Sequence, residues 1–123
     1  MNLSMTASRT GGQTVLAVQG EVDLHSASRL TDRLTAILDA GERSVVVDLS
    51  PLSFLDSTGL GALVAARNRA QQTGATLRLV CTSDRLLKLF RITGLDAVFE
   101  IHPTLAQALS GGVRDPDNPT GQG

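Results

Sequence analysis

Apolar and polar positions along the chain fall into blocks whose period changes at glycine or proline. Residues 14–18, Thr-Val-Leu-Ala-Val, form a short apolar run between Gly11-Gly12 and Gly20. A run of that length bounded by turn formers reads as a buried strand. The segment ahead of residue 14 carries no pattern that assigns it to an element. From residue 26 to 40 the apolar positions Ala27, Leu30, Leu34, Ile37 and Leu38 follow helical spacing, and Gly41 stands where a left-handed residue ends a helix. Residues 44–49, Ser-Val-Val-Val-Asp-Leu, are β-branched and apolar in succession. That is the pattern of a central strand covered on both faces.

After a turn at Pro51, Leu60, Leu63, Val64 and Ala70 recur at helical spacing up to Gly74, with Asp56 or Ser57 as the N-cap. Residues 76–81 alternate as a further strand. A third helix is predicted over 83–93, with Asp84 in its first turn, Arg91 in its last and Gly94 beyond it. Residues 98–101 suit an edge strand, and Thr104 with Gln107 makes a capping box for a short last helix through Leu109. Strands and helices in alternation predict an α/β fold, a small mixed sheet of four to five strands packed with three to four helices. The helices are expected to cover one face more than the other. Residues 111–123 hold four of the twelve glycines and two of the four prolines. They read as a disordered tail on a single domain spanning 1–110.

Composition narrows what such a domain does. Only 2% of residues are aromatic, Phe54, Phe90 and Phe99, so base-stacking platforms are not expected and the core is aliphatic. Eleven basic residues against twelve acidic give a net charge of −1, a poor surface for nucleic acid or anionic membrane. Cys81 has no cysteine to pair with, and two histidines supply no convincing zinc set. With no leader-like N-terminus and no long apolar stretch, a cytoplasmic protein is expected, without nucleic acid, membrane or cofactor among its partners.

The densest chemistry lies in Asp56-Ser57-Thr58-Gly59, which sets a hydroxyl beside a carboxylate where a helix begins. A helix N-terminus offers free N–H groups and partial positive charge, a setting that stabilises phosphate. A hydrolase elbow needs glycine two residues before the serine, where Leu55 stands. An aspartic-protease motif would need glycine one residue nearer to Asp56, and no second copy is present. A P-loop needs Gly-Lys-Ser/Thr, and the one lysine, Lys88, falls in the third helix. Asp48, Glu21 and Asp23 follow strands, so a phospho-aspartate receiver using Asp48 is an alternative, although its usual lysine is missing. His25 near a helix start is a candidate base, and Cys81 reads as a small buried apolar residue.

Residues 45–63, VVVDLSPLSFLDSTGLGAL, together with Gly20-Glu21-Val22-Asp23, the segment 74–80 and the segment 89–95, resemble the STAS domain family of sulfate transporters and anti-sigma-factor antagonists. The resemblance covers nearly everything from residue 14 to 109. It implies a non-enzymatic regulatory switch: an antagonist that binds a partner acting as both anti-sigma factor and serine kinase, and so frees the sigma factor. By the same resemblance the phosphoacceptor is Ser57, phosphorylation ends binding, and a separate serine phosphatase restores it. A ligand-sensing module of a larger signalling complex is a further alternative. The partner surface is expected on Glu21, Asp23, Leu24 and His25 together with Asp56, Ser57, Thr58, Gly59 and Leu60. If the strands at 14–18 and 45–49 are parallel neighbours, the loops at their carboxyl ends leave the sheet on one edge, with Leu24 and Leu60 supplying apolar contact.

Overall fold

The computed structural model describes residues 3–112. The elements run β1 (Leu3–Thr10), β2 (Gln13–Val22), α1 (Ala27–Asp39), β3 (Ser44–Asp48), β4 (Leu52–Leu55), α2 (Ser57–Thr73) and β5 (Thr76–Val80). Then follow α3 (Asp84–Ile92), a 3-10 turn (Leu95–Ala97), β6 (Glu100–His102) and α4 (Leu105–Gly112). The sheet order is β1-β2-β3-β5-β6, with β4 paired to β2 off that path. Only β1 and β2 pair antiparallel; the other pairs are parallel, as crossover helices require. The sheet thus has six strands instead of four or five, the additions being β1 and β4. Of the tail expected over 111–123, residues 113 onward lie outside the described residues, and 111 and 112 close α4.

The valines of β3 show why the helices are unequally shared between the faces. Val45, Val46 and Val47 are all fully buried, but alternate residues point to opposite sides. Val45 and Val47 join the large cluster with Leu30 and Leu34 of α1, Leu60 and Leu63 of α2, and Leu86 and Phe90 of α3. Val46 joins Val15, Val80 and Ala108 of α4 in a small cluster on the reverse side. Phe90 meets Phe99 edge to face, ring centroids 6.0 Å apart, which closes the large cluster beneath the 3-10 turn.

The helix boundaries follow the expected signals closely. Asp56 caps α2, settling the choice between it and Ser57, and Gly74 ends that helix in the left-handed region at φ 78°. Ser83 caps α3 by accepting from the Leu86 amide at 3.3 Å. Thr104 Oγ1 accepts from the Gln107 amide at 3.1 Å, one half of the expected capping box.

What positions the functional edge is the unusual length of β2. Its first half pairs with β3, Thr14 opposite Val45 through Ala17 opposite Asp48. At Gly20, φ 104°, the register shifts, and the second half pairs with β4, Glu21 opposite Phe54 and Val22 opposite Leu55. One strand therefore carries two parallel partners in succession, and the shift between them rests on a conformation that glycine adopts freely.

At the other side of the sheet, Arg78 lies nearly buried and donates from Nε to Glu100 at 2.7 Å, while His102 Nε2 lies 2.6 Å from the same carboxylate oxygen. Burial pushes the Glu100 carboxyl up, but hydrogen bonds from His102 and Arg78 outweigh it and hold the group below its ordinary value. A depressed folded-state pKa means that protonation favours the unfolded chain. The contribution is complete above the ordinary carboxylate range and is lost as pH falls through the depressed value. Urea unfolding of the wild type and Glu100→Gln at pH 7 and pH 3.5 checks this: the wild type should be the more stable at pH 7, with the gap narrowing at pH 3.5.

Candidate functional site

The site is assembled where β2 and β4 end. The Asp56 amide donates to the Val22 carbonyl at 3.2 Å, so the chain entering α2 is tied to the chain leaving β2. Asp56 then turns its carboxylate to the helix: Oδ1 accepts from the Gly59 amide at 3.1 Å and from the Thr58 hydroxyl at 2.5 Å. The Thr58 hydroxyl is the strongest influence lowering the Asp56 pKa; burial opposes it, and the amides of Gly59, Thr58 and Leu24 add to the lowering.

Ser57 occupies the first position of α2 and is exposed. Among the described residues its hydroxyl has no protein hydrogen-bond partner, because Asp56 has taken the capping role and Thr58 faces Asp56. A serine that the helix does not need for capping is free to react.

The second loop, 23–26, is held by its own hydrogen bonds. Asp23 Oδ1 accepts from the amides of His25 at 2.9 Å and Ser26 at 3.1 Å. Ser26 Oγ accepts from the Asp23 amide at 3.0 Å and lies 3.0 Å from the Glu21 carbonyl and 3.1 Å from Asp23 Oδ1, the acceptors for its one hydrogen. Asp23 thus organises the entrance to α1. Leu24 and His25 project outward, Leu24 with 71% of its surface exposed.

Two expectations about this edge need correction. Leu60 is only 3% exposed and belongs to the core, so it offers no apolar surface to a partner. Gly59 is buried as well, and close packing requires a glycine there, since a Cβ would stand 2.3 Å from Leu55 Cδ1 and 2.9 Å from Val22 Cγ1. The exposed apolar groups are instead Leu24 in the second loop, Phe54 at 43% in β4 and Ile92 at 72% at the end of α3. Phe54, Leu86, Leu89 and Ile92 line a groove between β4 and α3 whose rim carries Arg85 and Lys88. Phe54 sits in β4, whose outward position no local pattern announces; the apolar Ile92 at the polar end of α3 was the readable sign.

The carboxylates do not gather as a receiver site would require. Asp48 Oδ1 accepts from the Ser50 amide at 2.9 Å, and among the described residues no three His, Cys, Asp or Glu side chains come together to hold a metal. Lys88 lies beside Phe54. Cys81 is buried, and burial pushes its thiol pKa up, as expected of an inert apolar residue. No helix among the described residues is long and apolar enough to cross a membrane.

The geometry makes Gly59→Ala a test of how tightly the site is built. The added methyl must push Val22 and Leu55 aside, and overpacking of this kind costs about 1–3 kcal/mol. Denaturant unfolding should show that loss, with amide shifts concentrated in residues 22–26 and 54–60.

Known proteins place this arrangement. The pattern of the STAS domain matches residues 4–108. The anti-sigma-B factor antagonist of Bacillus subtilis is 32% identical over 101 residues, covering 82% of this chain and 92% of that protein. Its Staphylococcus aureus counterpart is 32% identical over 102 residues, 83% of this chain and 94% of that one. Among solved structures, an anti-sigma factor antagonist from Mycobacterium paratuberculosis superposes with a TM-score of 0.83 at 28% identity, covering 90% of this chain and 94% of its own. With a family match over almost the whole described chain, a sheet of the same build and relatives at this identity, the chain belongs to the STAS domain family.

Proposed function

We propose that this chain is an anti-sigma-factor antagonist whose partner choice is switched by phosphorylation of Ser57. In the unmodified state the edge formed by residues 21–25 and 54–58 binds an anti-sigma factor that is also a serine kinase, which releases the sigma factor. Transfer of the γ-phosphoryl group of ATP to Ser57 Oγ ends that binding, and a serine phosphatase resets it. The observation that carries this reading is the spare hydroxyl of Ser57, exposed on the first turn of a helix that Asp56 already caps. The relatives named anti-sigma-B factor antagonists support the partner class.

Charge supplies the switch. Phosphoserine adds about −1.5 to −2 near neutral pH, beside Asp56 and across from Glu21 and Asp23. Two unit charges about 4 Å apart repel by roughly 4 kcal/mol at an effective dielectric near 20. That is about a thousandfold in affinity. The positive end of α2 offsets the cost within the domain itself, so the fold need not change. Leu24 and Phe54, exposed on the two segments that meet at this edge, provide the apolar contact, and the phosphate on Ser57 repels a partner that closes over the edge.

Phosphopeptide mapping after incubation with the cognate kinase and ATP should find Ser57 alone modified, by an acid-stable phosphate. Modification of Ser53, Thr58 or Thr93 with Ser57 untouched would contradict the assignment, and an acid-labile phosphate would point to Asp48. Ser57→Ala should bind constitutively, with stability within about 1 kcal/mol of the wild type because the cap is elsewhere.

Asp23→Asn separates the capping role of Asp23 from an electrostatic one. Asparagine keeps the hydrogen bonds to the amides of 25 and 26 but removes the charge. Affinity for the kinase should fall, and its dependence on salt should weaken while the fold persists. Unchanged affinity and salt dependence would confine the surface to the neighbourhood of Ser57.

A further inference from the structure

The free edge of the sheet at β1 has a construction that the switch does not use. β1 and β2 form a hairpin over Leu3 to Thr10, closed by Gly11 and Gly12 at φ 60° and 79°. Positive φ at both turn residues is the two-residue type I′ turn, whose flanking pair, Thr10 and Gln13, exchanges hydrogen bonds. Alternation then commits the backbone of Ser8, Thr6 and Ser4 to β2 and turns the N–H and C=O groups of Arg9, Ala7, Met5 and Leu3 outward. The Leu3 carbonyl is taken by Arg29 of α1, whose Nη2 lies 3.2 Å away. Among the described residues the outward backbone groups of Met5, Ala7 and Arg9 have no partner.

Natural edges are normally blunted by proline, lysine, a bulge or a covering element. β1 has no proline, no lysine and an unbroken register of eight pairs, and its one charged side chain, Arg9, is half exposed and already paired with Glu42 and the Gly12 carbonyl. Beside this edge, on the helix side, runs an open groove of about 340 Å³ between β1 and the flank of α1. Its floor is Ala7, Ala36, Ile37 and Ala40. Arg33 stands on its wall, and among the described residues no carboxylate lies within salt-bridge distance of it. Glu42, the one acid in the groove, is already matched by Arg9 and by the Thr14 hydroxyl at 2.7 Å.

From this juxtaposition we infer that the β1 edge and the α1 groove together form a second docking site, which takes an extended, acidic segment of another protein by strand addition. Backbone groups of the segment pair with Met5, Ala7 and Arg9. Its acidic side chains, on the groove side, pass over the alanine floor, where small residues leave them room, to meet Arg33, while the intervening apolar side chains face the reverse side of the sheet. Charge decides among possible occupants. A second copy pairing through its own β1 brings Leu3 to Thr10, which contains no acid to answer Arg33. The chain's residues 113–123 hold Asp115 and Asp117, but Pro116 and Pro119 remove the donors that strand pairing needs.

The probe is a terminally blocked peptide, Ser-Val-Glu-Val-Glu-Val-Ser, titrated into the full ¹⁵N-labelled chain. Three controls accompany it: the counterpart with lysine for glutamate, and two versions N-methylated at alternate amides in the two registers. Shifts should map to Met5, Ala7, Arg9, Arg33 and Ile37, with slowed hydrogen exchange of the Ala7 amide. The lysine peptide, one of the two N-methylated peptides and the Arg33→Glu chain should each weaken binding about tenfold or more. Arg33 lies outside the core, so that variant should keep its fold, and the peptide-side controls need no variant at all. Equal affinity for all four peptides, shifts centred on Ser57, or no shifts at millimolar peptide would overturn the inference. So would a doubling of molecular mass with protein concentration that protects the Ala7 amide without peptide, since a second copy would then occupy the edge.

Discussion

The first turn of α2 lies so close to β2 and β4 that no side chain fits at position 59, where a Cβ would stand 2.3 Å from Leu55 and 2.9 Å from Val22. Several features of the site depend on that approach. It brings the Asp56 amide to the Val22 carbonyl, while the Asp56 carboxylate accepts from the Gly59 amide and the Thr58 hydroxyl. With the cap supplied by Asp56, Ser57 is left on the surface with its hydroxyl unused.

Much of this was legible in the sequence because local and tertiary preferences agree. The β-branched run at 44–48 occupies the centre of the sheet, and the first three helices end within a residue or two of their expected limits, while α4 runs to Gly112, three residues past Leu109. β1 escaped detection although Leu3, Met5 and Ala7 alternate with Ser4, Thr6 and Ser8, and Gly11-Gly12 is the turn a tight hairpin asks for. The same glycine pair both bounds β2 and turns the hairpin. β4 had no such signal. Four residues between Pro51 and Asp56 become a strand because β2 breaks register at Gly20 and offers a second partner. Leu60 was misplaced for a related reason: its nearness to Ser57 in sequence says nothing about the direction it faces once α2 is pressed onto Val22.

The length of β2 also separates the two surfaces. Thr14 borders the groove under β1, and Val22 anchors the Ser57 edge, eight residues farther along. At about 3.3 Å per residue that is roughly 26 Å, well beyond a Debye length of about 8 Å at physiological salt. Arg33 stands nearer, seven residues past Ser26 along α1 and so roughly 10 Å from the 23–26 loop, about one Debye length, where salt weakens the field of a phosphate on Ser57. A domain built in this way can be held by one protein while it is switched by another. Its working parts are two loops and a serine on a sheet whose core none of them disturbs.

The central claim is that phosphorylation changes the surface presented at Ser57 without changing the fold. Amide spectra and hydrogen exchange of the full chain, recorded before and after stoichiometric phosphorylation, test it most directly. The account predicts shifts confined to residues 21–26 and 54–61, with unchanged protection in β2, β3 and β5. Loss of protection across those strands, or shifts spread through the large core cluster, would contradict it and make the switch a refolding event.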